Sequence, residues 1–171
     1  MMKPVLLFCL LLAEAVAYAQ TAATPALSED PVFRIMLPRR IVYPAAAEHA
    51  GVYAKVYAGF RIDSKGHVQD ISILNPTKIG YGFEHEVIKK LKKLPPLKPD
   101  YEGTYALPVT FALSDYGNGA KVTSTTNSLS NMYLGNRILL TELKIVGNVM
   151  PIEKGHELAP YTLGTVPLTD R

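Results

Sequence analysis

His85 and Glu86 are adjacent and invite a metal-hydrolase reading. That chemistry needs a second histidine at i+4, one helical turn on, so that two imidazoles grip one zinc while the glutamate serves as base. Position 89 is a lysine, so the pair reads as part of a solvated helix face. His49, His67 and His156 are scattered without partner spacing, and Glu84 and Glu86 point to two sides of a helix. No serine stands in a nucleophile elbow, and no glycine-rich loop could cradle phosphate. The one cysteine, Cys9, lies in an N-terminal apolar run. The expectation is a protein that is not an enzyme and uses no cofactor and no metal.

Two other polar groupings could bind rather than react. Lys89, Lys90, Lys92 and Lys93 could touch an anionic surface such as lipid heads, although an ordinary solvated helix face is the plainer reading. Tyr53, Tyr57 and Arg61 could stack on a sugar or a peptide, although tyrosine is common on the exposed faces of strands. The formal net charge of +3 is mild and gives no indication of nucleic acid as a partner.

The elements that would position these groups are legible from periodicity. From 52 to 62, Val52, Ala54, Val56, Ala58, Phe60 and Ile62 alternate with Tyr53, Lys55, Tyr57, Gly59 and Arg61. Period two predicts a strand with one dry and one wet face. Asp63-Ser64-Lys65-Gly66 supplies turn residues, and a second strand follows to Leu74. Ile71 and Ile73 share a face but Val68 has the opposite parity, so a bulge around Gln69-Asp70 is expected.

Phe83, Val87, Ile88, Leu91 and Leu94 fall on one helical stripe, with acids in the first turn, lysines near the end and Pro95-Pro96 as the stop. This helix is the natural cover for the hairpin. A third strand runs over 104–114 and carries Tyr105, Leu107, Val109, Phe111 and Leu113 on one face. Pro108 cannot donate to a ladder, which predicts an edge strand. The expected fold is therefore α+β: a small three-stranded antiparallel sheet covered on one face by an amphipathic helix, with an extra C-terminal segment.

The flanks differ in character. Residues 1–19 read as a signal peptide, with Lys3, a short apolar run and a small-x-small site at Ala17-Tyr18-Ala19. The run is well short of the ~20 residues that span a bilayer. Residues 20–37 read as a leader, disordered at least to Asp30. The domain proper covers 38–115, 116–130 is a Gly/Asn/Ser/Thr-rich linker, and 131–171 is an extension.

These pieces in order resemble the C-terminal domain of the TonB family. Tyr43-Pro44 stands at the opening short helix, Gly51-Val-Tyr-Ala-Lys-Val at the first strand, Phe60-Arg-Ile-Asp and Gly66 at the turn. Phe83 to Val87 resembles the start of the second helix, 92–99 the basic pair and proline after it, and Pro108-Val-Thr-Phe111 the closing strand. The resemblance implies a periplasmic protein-binding module. Its partner would be an outer-membrane TonB-dependent transporter, whose short peptide box adds as an extra strand to the domain's edge. The implied partner-binding residues are Tyr105, Leu107, Val109, Phe111 and Leu113, with Arg40 and Tyr43.

The chain also departs from that family. A transducer is anchored in the inner membrane and has a long proline-rich spacer, whereas here only about 25 residues separate Ala19 from Pro44, at most ~85 Å fully extended. Membrane association is expected only if the N-terminal segment is retained. Leu94 replaces a tryptophan, and Arg40 stands where transducers commonly have a partner-touching glutamine. The segment Leu140-Thr-Glu-Leu-Lys-Ile-Val-Gly147 resembles a transporter box. It could add to the module's own edge, but a strand or helix that merely completes a larger core is the preferred expectation. An open edge over 105–113 would favour transporter docking. An edge covered by the tail, or by a second copy in a homodimer, would favour a structural or assembly role in the cell envelope.

Overall fold

The computed structural model describes residues 26–115, 121–126, 128–148 and the pair 159–160. The signal-peptide expectation lies outside the described residues. In chain order, α1 (Ala26–Glu29), a wider π-type turn (Val32–Met36) and α2 (Leu37–Arg40) form a helical entry, followed by α3 (Ala45–His49). The hairpin β1 (Val52–Ile62) and β2 (Val68–Ile73), the helix α4 (Phe83–Leu91) and β3 (Gly103–Asp115) make the body. After them come β4 (Lys121–Thr123), α5 (Asn131–Leu134), β5 (Ile138–Leu139), β6 (Leu143–Asn148) and β7 (Ala159–Pro160).

The hairpin forms as its alternation dictates. Asp63 organises the turn: its carboxylate accepts from the amides of Lys65 (2.9 Å) and His67 (2.8 Å). The His67 bond foremost, with help from the Lys65 bond and the His67 side chain, holds the Asp63 carboxyl below the usual range against the opposing effect of desolvation. The expected bulge is present. The register jumps from Gly59↔Ser72 to Arg61↔Gln69, so Asp70 and Ile71 together oppose Phe60. Asp70 absorbs the kink at φ 52°. With the parity corrected, Val68, Ile71 and Ile73 all pack against the core.

Beyond Ile73, one side chain continues the ladder. The Asn75 amide accepts from the Tyr57 N–H (2.7 Å) and donates to the Lys55 carbonyl (2.9 Å), so it stands in for a missing strand. Asn75→Ala leaves both backbone groups without these partners. A loss of about 1–3 kcal/mol in urea unfolding is expected, and no change would mean water replaces the amide fully.

The core lies between the sheet and its helices. Phe60, Phe83, Phe111, Val87 and Leu91 are fully buried, and α4 covers β1 and β2 as expected. Two readings change. Residues 26–29, expected to be disordered, are helical, and Leu27, Phe33 and Leu37 bury their side chains against the sheet. Phe33 stacks on Phe60 at 5.8 Å, and Phe60 on Tyr105 at 5.7 Å. The second change is the wet face of β1, which is covered. Tyr53 and Tyr57 are 7% and 4% exposed, and the Tyr57 hydroxyl accepts from the Leu129 amide at 3.1 Å. A chain segment expected to be a free linker thus packs on the sheet's second side.

The three expected strands lie in the order β2-β1-β3 within a seven-stranded sheet, with β2 at one end of the order. β1 and β3 run antiparallel in unbroken register from Ala54↔Phe111 to Ile62↔Gly103. The four additional strands are short, and all come from the chain after β3.

Candidate strand-accepting edge

The structure brings Tyr105, Leu107, Val109, Phe111 and Leu113 together along one face of β3, with all five side chains buried in the core. On this face they stand beside the inward-facing residues of a neighbouring strand. The backbone parity places the rest. The Leu140 N–H donates to the Ala106 carbonyl at 2.9 Å, so Ala106 faces away from β1. Opposite Pro108, Tyr57 turns its own N–H and C=O towards Asn75 and Leu74. In an antiparallel pair these orientations alternate, so 106, 108, 110, 112 and 114 present their backbone groups to the outer side.

That outer side is filled, which corrects the expectation of an open edge. β5 pairs parallel with Tyr105 and Ala106, and β6 pairs parallel with Val109 through Ser114. Pro108 falls in the break between the two. Its missing N–H is on the outer side, where no pairing partner asks for it. The proline therefore marks where an added strand must step off the edge, not an edge left bare.

Tyr43 anchors one end of the arrangement. Its hydroxyl donates to the Val52 carbonyl at 2.7 Å, and its ring meets Phe83 and Phe111 edge-on, each at 5.6 Å. Burial, with help from the Glu48 charge, pushes its phenol well above the ordinary value, so it remains a donor. Gly147 of β6 lies flat against this ring. A Cβ there would stand 2.5 Å from Tyr43 Cδ2, 2.6 Å from Cγ and 2.8 Å from Glu48 Oε1. The same Glu48 oxygen accepts from the Asn148 amide at 3.2 Å.

The other end is held by charge. Lys55 on β1, with 14% of its side chain exposed, pairs with Glu142 immediately before β6. Partial burial pushes the Glu142 carboxyl upward. The bond from Lys55, with the charges of Lys55 and Lys144, more than reverses this and holds it below the usual range. The Thr141 amide donates to the buried Ser28 hydroxyl at 3.0 Å, which ties the tail to α1.

Arg40, at the end of α2, is exposed, and its side chain makes no hydrogen bond or ion pair among the described residues. Lys55, Glu142, Gly147 and the outward backbone of Thr110 and Ala112 were not visible as a group in the sequence. The box-like run 140–147 was the one signal that pointed to them. His85, with Ile88, Lys89, Lys92 and Lys93, lines only a shallow open depression on α4. Among the described residues no group of three or more His, Cys, Asp or Glu could hold a metal ion, and no helix is long and apolar enough to cross a membrane.

Neither the curated proteins nor the solved structures yield a match to this chain. The family of the Gram-negative bacterial TonB protein C-terminal does match, over residues 39–113, from the end of α2 to the last turns of β3, and the body of this fold is accordingly a TonB C-terminal-like domain.

Proposed function

We propose that the protein is an exported periplasmic binding module that docks the peptide box of an outer-membrane TonB-dependent transporter by strand addition to β3. TonB C-terminal domains are non-catalytic, periplasmic interaction modules that engage outer-membrane transporters. The observation that carries the reading is the outer side of β3: its backbone already accepts an extended strand, in parallel register, over Val109 to Ser114. Main-chain bonds of this kind supply affinity, while the positions that face inward select side chains.

The test uses the full mature chain as bait in a periplasmic pull-down, comparing wild type with Thr110→Pro. Thr110 turns its N–H outward, so the proline removes a donor from the accepting side and leaves the β1 ladder intact. Transporter recovery should be lost while far-UV circular dichroism shows the β1–β3 body still folded, with some loss of melting temperature because β6 pairs across Thr110. Recovery equal to wild type would overturn docking at this edge.

A second reading, a structural or assembly role in the envelope, is favoured by the coverage of β3 by β5 and β6. It expects no transporter with either bait, and self-association through a second copy on the outer edge of β6.

A further inference from the structure

We infer that β6 is an internal ligand of the β3 edge, and that the Tyr43 ring makes one position of that site accept glycine alone. The inference rests on the docking reading for its external competitor, but its own geometry is independent of that reading.

The tail occupies β3 as a ligand would. It is remote in sequence, it pairs in parallel, and it is held at defined points. Glu142 meets Lys55, Leu143 lies against Val109, Ile145 is buried against Phe111, and Gly147 seats on Tyr43 opposite Leu113. Lys144, Val146 and Asn148 alternate outward and are exposed. Read outward from these contacts, the site takes an extended peptide with an acid, apolar residues one and three places later, and glycine at the fifth.

The glycine is required by space. Tyr43 Cγ and Cδ2 cannot retreat from a Cβ at 2.5–2.6 Å, because the hydroxyl is tied to Val52 and the ring is wedged between Phe83 and Phe111. Any larger residue must lift the strand end off the sheet.

A tethered strand competes at an effective concentration of about millimolar. External peptide then sees only the fraction of molecules with the edge open, and its apparent Kd rises in proportion. The tail is thus a cap, and opening it raises affinity for a partner without any new contact.

The experiment uses the full chain, wild type and Gly147→Val, and three labelled peptides in fluorescence anisotropy. One is the self peptide Thr-Glu-Leu-Lys-Ile-Val-Gly-Asn, the second replaces its glycine with valine, and the third is a transporter-box peptide. The self peptide should bind Gly147→Val at least tenfold tighter than wild type, and the valine peptide should bind neither. Amide exchange gives a second readout: the Leu143–Asn148 amides should exchange faster in the variant while those of β1 do not.

Equal affinity of the self peptide for wild type and variant, or no binding to either, would overturn the cap. Equal binding of the valine and glycine peptides would overturn the Tyr43 seat. The docking reading fails separately, if the self peptide binds the opened variant and the transporter-box peptide does not.

Discussion

Gly66→Val should destabilise the chain by about 3–5 kcal/mol, a large part of the ~5–15 kcal/mol that holds a domain of this size together. Two costs combine at this turn. Gly66 sits at φ +82°, a left-handed conformation that costs a β-branched residue about 1–3 kcal/mol. A Cβ at this position would also land on the Leu97 carbonyl, within 2.9 Å of the Leu97 nitrogen. That contact is to backbone and cannot be relieved by a rotamer change. Moving it away breaks the bond from the Leu97 N–H to the Gly66 carbonyl (2.9 Å), which ties the segment after α4 to the hairpin tip. Gly66→Asn separates the two costs. Asparagine tolerates positive φ, so if conformation alone mattered it would recover most of the stability. Crowding predicts that Gly66→Asn fares nearly as badly as Gly66→Val and a third variant, Gly66→Ala. Urea midpoints for the three variants decide the matter, and an Asn variant within about 1 kcal/mol of wild type would refute the crowding account.

The body of this fold was written in local patterns. The alternation over 52–62 gives β1, the stripe Phe83, Val87 and Leu91 gives α4, and the parity conflict at Val68 located the bulge to within a residue. Each is set by neighbours a few positions apart, which periodicity can register. What failed depended on distant partners. Tyr53 and Tyr57 read as a wet face because tyrosine suits water and interior alike. Leu129 covers Tyr57 from 72 positions away, and no period connects them. Leu27 sits in a stretch rich in small and polar residues and Phe33 and Leu37 in a short apolar run, and their burial depends on Phe60 and its neighbours being present to receive them.

The candidate site shows the same division. Pro108 was correctly recognised as a residue that cannot serve a ladder on its outer side. The step from there to an open edge assumed that an added strand must be continuous. The tail instead pairs at Tyr105–Ala106 and again from Val109, skipping the one position that could not donate. The run 140–147 resembles a transporter box in sequence, which leaves strand or helix open; its parallel direction and register come from the Lys55–Glu142 pair and the glycine seat, which are tertiary facts.

Phe111→Ala should cost about 3–5 kcal/mol, the range for removing a buried phenyl ring. Phe111 is fully buried, and its ring lies 4.8 Å from that of Phe83 and 5.6 Å from that of Tyr43. Neither neighbouring ring is free to fill the void, since Phe83 is fixed on α4 and Tyr43 is tied to Val52. Urea unfolding should show a lower midpoint with an unchanged slope. Phe111→Leu, which retains most of the volume, should lose less. The variant also reports on the edge, because the ring that seats Gly147 loses its support from one side. In the molecules that remain folded, exchange at Leu143–Asn148 should accelerate more than exchange in β1. A loss under about 1 kcal/mol would mean that Phe83 and Tyr43 collapse into the gap. Their mutual 5.6 Å edge-to-face contact would then be the feature that holds the cluster, with Phe111 only filling space beside it.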